Sequence, residues 1–91
     1  MQVRFHLLIS GSVQGVGFRS AVHDMARELN VNGWVRNRED GKVEAVFEGS
    51  RFSVLEIVDF CRKGPACAEV DDIEVKEEKC SEDFYSFMVK Y

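Results

Sequence analysis

Within the first thirty residues the apolar spacing changes from two to 3.6 across a break rich in glycine. In VRFHLLIS, residues 3–10, Val3, Phe5, Leu7 and Ile9 fall on every second position, which predicts a strand with one buried face. GSVQGVG, residues 11–17, holds three glycines in seven positions and predicts a loop. From there Phe18, Ala21, Val22, Met25, Ala26 and Leu29 recur at i, i+3, i+4, i+7, i+8 and i+11. That spacing predicts an amphipathic helix over 18–30, with Arg19, Ser20, His23, Asp24, Arg27 and Glu28 on its outer face.

The later segments continue in kind. VNGWVRNR, 31–38, reads as a second strand, and Glu39-Asp40-Gly41 supplies a hairpin turn. KVEAVFE, 42–48, is a third strand with Val43, Ala45 and Phe47 facing inward. Gly49-Ser50 stops it and caps a second helix over 51–63. The apolar positions of that helix, Phe52, Val54, Leu55, Ile57, Val58, Phe60 and Cys61, predict a wide buried stripe. Gly64-Pro65 ends it. A fourth strand is expected within 68–77, with Val70, Ile73 and Val75 inward and a bulge or bend at Asp71-Asp72. A last strand over 84–91 has Tyr85, Phe87, Val89 and Tyr91 on one face. The order is β-α-β-β-α-β with a short extra C-terminal strand. It predicts an α+β, ferredoxin-like sandwich in which two helices cover one face of an antiparallel sheet. The crossover rule sets the first two strands parallel, with one strand between them. At 91 residues there is room for one core, so residues 1–91 are read as a single domain.

Charge narrows the partners. Residues 1–38 carry five arginines against Asp24 and Glu28, net +3, whereas residues 39–91 are net −7. The overall charge of −4 argues against nucleic acid. A local basic cluster near Arg19, Arg36 and Arg38 suits one small anion. An RNA-recognition domain of the same element order needs aromatics on its central strands, and the third strand offers only Phe47. No apolar run approaches the ~20 residues of a membrane helix, and Met1-Gln2-Val3-Arg4 leads straight into the first strand. A cytoplasmic protein is expected, with no membrane partner. Cys61, Cys67 and Cys80 contain no C-x-x-C pair, and His6 and His23 lie far from them in sequence. Reduced thiols and no structural metal are therefore expected.

The loop carries the chemistry. Glycines let the backbone curl so that successive N–H groups point inward. The helix start behind them adds free donors and partial positive charge. Gly11-Ser12-Val13-Gln14-Gly15-Val16-Gly17-Phe18-Arg19 thus makes a ready anion site, with the Arg19 guanidinium able to fork onto two oxygens of one phosphate. No Lys follows the glycines, so this is no Walker A loop. Ser20 replaces the third glycine of a dinucleotide fingerprint. Taken alone, the segment is equally a plain strand-to-helix turn with an exposed arginine. Asn37 lies toward the C-terminal end of the second strand, the end where the loop leaves the first. Its amide can hold a water and a substrate oxygen, or it can cap the turn before Glu39. Arg36 and Arg38 read more naturally as solvated charges on a strand face.

GSVQGVGFR at 11–19, with GWVRN at 33–37, closely resembles the acylphosphatases, whose pattern is G-x-V-Q-G-V-x-F-R followed by G-W-V-x-N. The resemblance extends through Asp40-Gly41, Gly49, Gly64-Pro65 and Phe87-x-Val89, and so covers essentially the whole chain. It implies a metal-free and cofactor-free hydrolase, working as a monomer, that cleaves carboxyl–phosphate bonds of a small-molecule acyl phosphate. It also implies that Arg19 binds the substrate phosphate and Asn37 the attacking water. The backbone amides of Val13, Gln14, Gly15, Val16, Gly17 and Phe18 are implied to cradle the phosphoryl group. The leaving group fits so sparse a site: a carboxylic acid has a pKa near about 4 and departs without a general acid. The competing expectation is a non-catalytic small-anion or ligand-binding module on the same fold.

Overall fold

Val3, Phe5, Leu7 and Ile9 all turn their side chains into one core, as their alternation requires. They belong to β1, Gln2–Ser12, in a computed structural model that describes residues 2–81 and 84–90. The order continues as α1 (Phe18–Leu29), β2 (Asn32–Asn37), β3 (Val43–Ser50), α2 (Arg51–Lys63), β4 (Glu69–Glu78) and β5 (Phe87–Lys90). The sheet order is β4-β1-β3-β2-β5. β3 pairs antiparallel with both β1 and β2, so β1 and β2 run parallel with β3 between them. The helices touch each other, α1 lying against β2 and β5 and α2 against β1, β3 and β4. Phe18, Val22 and Ala26 of α1 and Val54, Ile57, Val58 and Cys61 of α2 share the core of the strands.

The element ends have local causes. α1 stops at Leu29 because Asn30 adopts a left-handed conformation, and its N–H returns to the carbonyls of Ala26 and Arg27. α2 starts where the Ser50 hydroxyl accepts from the Ser53 N–H. β4 pairs antiparallel with β1, and Ser10 opposes Asp72 while Gly11 opposes Val70. Asp71 is thus the extra residue of the expected bulge.

Four expectations need correction. Val75 of β4, expected to face inward, is 38% exposed. The sheet is mixed rather than antiparallel, because β5 pairs parallel with β2. β4 occupies one edge, so the last strand is left to satisfy the open hydrogen-bonding edge of β2. That strand begins only at Phe87; Tyr85 precedes the ladder and is 96% exposed. The expected place of Tyr91 lies outside the described residues. The buried stripe of α2 is also narrower than predicted. Val54, Ile57, Val58 and Cys61 follow i, i+3, i+4, i+7, whereas Leu55 and Phe52 fall off that line and are 43% and 80% exposed.

On the face without helices, Glu44 of β3 sits nearly buried between His6 of β1 and Arg36 of β2. Arg36 Nε donates to Oε1 at 2.8 Å, and the His6 ring hydrogen-bonds Oε2. Burial pushes the carboxyl pKa up, but the hydrogen bonds from His6 and Arg36 outweigh it, so the pKa lies below the ordinary 4.5. A lowered carboxyl pKa stabilises the fold where the group is ionised in both states, above about pH 4.5. The unfolded chain takes up the proton first as pH falls, and the stability is lost as pH drops through the folded value. Urea midpoints should therefore fall below pH 4.5 in the parent and fall less steeply in Glu44→Gln. Identical acid slopes would refute this.

Candidate active site

The first loop has the curl that its glycines allow. Gly15 and Gly17 have φ of +74° and +81°, and Val16 between them has none of this left-handed character. A Cβ at either glycine would meet nothing within 4 Å, so conformation rather than crowding selects glycine here. Alternation of left-handed and right-handed residues is the backbone geometry from which anion-binding concavities are built. Gly17 is also the N-cap of α1, and the first helical bond runs from Ala21 N–H to Gly17 O at 3.0 Å. The N–H groups before Ala21 have no partner inside the helix.

A cavity of about 460 Å³ opens at this point. Val13, Gly15, Gly17 and Phe18 of the loop and helix start line it, together with Arg19 and Asn37. The convergence expected from parallel β1 and β2 is thus present. Arg19 is exposed at its tip, and its Nη1 donates to the Lys90 carbonyl of β5 at 3.1 Å. That bond gives the long side chain a fixed anchor beside the loop. Asn37 Oδ1 is the one buried side-chain polar atom among the described residues with no hydrogen-bond partner. An unpaired buried acceptor costs on the order of 1–3 kcal/mol, so this oxygen is built to receive a donor.

Two of the expected loop residues do not line the cavity. Val16 packs against the core. Gln14 turns its side chain away, and Nε2 donates to the carbonyls of Arg38 at 2.7 Å and Lys42 at 2.9 Å. The amide thereby ties the loop to the β2–β3 turn immediately after Asn37. Arg36 and Arg38 do not join Arg19. Arg36 pairs with Glu44, with Nη2 2.6 Å from Oε1, and Arg38 pairs with Asp40 at 3.2 Å. Asp40 accepts from the Lys42 N–H, which with Arg38 holds its pKa below the ordinary value. The basic cluster inferred from sequence is dispersed by neighbouring carboxylates.

The cavity also includes Ser20, His23 and Val89, which sequence reasoning did not place there. His23 follows Arg19 by four positions, one helical turn on the same face, and that spacing was a usable signal. No local signal marked Val89, which arrives through the pairing of β5 with β2. Cys61 is buried, which pushes its thiol pKa up to about 12, while Cys67 is exposed. Neither lines the cavity.

The acylphosphatase family model matches residues 5–89. An acylphosphatase of Roseiflexus sp. (strain RS-1) is 54% identical over 76 residues, 84% of this chain and 82% of that protein. An acylphosphatase of Pelotomaculum thermopropionicum is 44% identical over 90 residues, 99% and 98% of the two chains. The crystal structure of acylphosphatase from Bacillus subtilis superposes with a TM-score of 0.93 at 35% identity, covering all of both chains.

Proposed function

Since the chain belongs to the acylphosphatase family and hydrolyses the carboxyl–phosphate bond of acyl phosphates, we propose that the 13–18 backbone, Arg19 and Asn37 carry the reaction. The loop amides and the Arg19 guanidinium hold the phosphoryl oxygens and neutralise their charge. Asn37 Oδ1 accepts a hydrogen bond from the attacking water and sets it in line behind phosphorus. The water oxygen bonds to phosphorus as the bond to the acyl oxygen breaks. The carboxylate leaves with that electron pair, and the water's proton passes to a phosphoryl oxygen. Phosphoryl transfer of this kind is mostly positioning and electrostatics, so neither an acid nor a base is required of the protein. The unpaired buried oxygen of Asn37 beside the loop and Arg19 is the observation that carries this reading.

The working form is read as a cytoplasmic monomer of one domain, 1–91, without cofactor or nucleic acid. One continuous core and a cavity formed within one chain support that reading. So do a net charge of −4 and the free thiols of Cys61 and Cys67, which suit a reducing compartment.

Hydrolysis of benzoyl phosphate in EDTA, set beside an alkyl phosphate monoester, tests the proposal. We expect full activity on the first and almost none on the second, because an alkoxide leaves poorly without an acid or a metal. Loss of activity in EDTA, or rapid cleavage of the alkyl ester, would overturn it.

A further inference from the structure

The proposed machinery fills only part of the cavity. A phosphoryl group and one water amount to five heavy atoms, about 150 Å³ even at the roughly 30 Å³ a water occupies in the liquid. The cavity holds about 460 Å³. Beyond the phosphate loop its wall is made by Ser20, His23 and Val89, and the reaction as described uses none of them. His23 stands one helical turn past Arg19, so a substrate gripped by Arg19 and extending along α1 meets it next. Two contacts fix the imidazole. Its ring packs against Phe87, with centroids 6.3 Å apart and planes tilted by 55°. Its Nδ1 lies 3.4 Å from Asp24 Oδ1, which leaves Nε2 as the ring atom open to a ligand.

The charge within this cavity differs in sign from that of the whole chain. Among the described residues no Asp or Glu lines it, although the chain is net −4. The Arg19 guanidinium, the loop amides and the N-terminal end of α1 all present positive potential there. An acyl group bearing a second negative charge is favoured in such a field over a neutral one.

We propose that His23 is the specificity-determining residue of this site. In this assignment the ring carries a proton on both nitrogens, with Nδ1–H toward Asp24 Oδ1, and Nε2–H donates to a carboxylate or phosphate on the far end of the acyl group, so the enzyme prefers acyl phosphates with a second anionic group. The assignment rests on the placement of the phosphoryl group at Arg19 and the loop, and it extends that placement to the acyl half of the substrate.

The test compares succinyl phosphate, which carries a distal carboxylate, with butyryl phosphate, of equal chain length and no second charge. The wild-type enzyme should show the higher kcat/KM for succinyl phosphate. His23→Ala should lower the ratio of the two kcat/KM values roughly tenfold, as expected for a lost charge-assisted hydrogen bond, with the loss carried by KM. His23→Lys should recover much of the ratio by restoring a donor of positive charge. An unchanged ratio in His23→Ala, or equal losses on both substrates, would overturn the proposal. Competitive inhibition by inorganic phosphate is measured alongside. If phosphate competes normally while the ratio does not move, the specificity role alone fails. If phosphate does not compete even in the wild type, the phosphate-site reading fails and takes this one with it.

Discussion

Arg19→Ala is expected to lower kcat/KM for any acyl phosphate by ~10³-fold or more, the scale of other arginines that stabilise a transferring phosphoryl group. The side chain stands on the first turn of α1, and its Nη1 is anchored on the Lys90 carbonyl. The same side chain lines the cavity beside the loop. Removing the group takes away charge on the phosphoryl oxygens in both the bound substrate and the transition state, so KM rises and kcat falls together. Arg19→Lys should fail nearly as badly, since a single ammonium cannot supply both the anchor and a two-pronged grip. Circular dichroism and the urea midpoint should stay close to the parent, because the side chain reaches the surface and fills no part of the core. Near-normal turnover in either variant, with the fold intact, would remove Arg19 from the mechanism.

Asn37→Ala should act on a different parameter. Its oxygen is buried without a partner among the described residues, so its contribution appears when a donor arrives. With the amide gone the water is no longer aligned, and misplacement of a reacting group by about 1 Å already costs on the order of 10²-fold. We expect kcat to fall by about that factor or more, with inhibition by inorganic phosphate little changed, since the anion is held by Arg19 and the loop. Asn37→Asp should not recover activity, because a carboxylate would repel the phosphoryl group. A large weakening of phosphate inhibition in Asn37→Ala would show that Asn37 grips the anion rather than the water.

The tie made by Gln14 links these two predictions. Its side chain joins the loop that precedes Arg19 to the carbonyls of Arg38 and Lys42, which flank the turn following Asn37. The proposed phosphate grip and water holder therefore sit on two segments fastened to each other, and phosphoryl transfer depends on the separation of such groups.

Much of this was legible in the residues. The alternation of Val3, Phe5, Leu7 and Ile9, the helical spacing from Phe18 to Leu29 and the glycines between them are local patterns. They report which face each segment must bury, and the buried residues agree. That Arg19 and Asn37 share a cavity was legible because both lie at the same end of two parallel strands. The misreadings at Phe52, Leu55 and Tyr85 have one cause. An apolar side chain says that burial is favourable, whereas the width of the contacting surface decides whether burial happens.

The chain order of elements, their faces and the curled glycine turn before α1 were set by the sequence alone, because spacing and glycine act over a few residues. The parallel addition of β5 to β2, the capture of Arg36 and Arg38 by carboxylates, the turning of Gln14 toward the hairpin and the arrival of Val89 in the cavity were decided only in the tertiary structure. The strand pairing and the Gln14 contacts depend on partners far along the chain: 54 positions separate Val35 from Val89, and 24 and 28 separate Gln14 from Arg38 and Lys42; Arg36 meets Glu44 only once β2 and β3 have folded back on each other. Local patterns carry no information about which distant edge or carbonyl will be within hydrogen-bond reach once the sheet has closed its core.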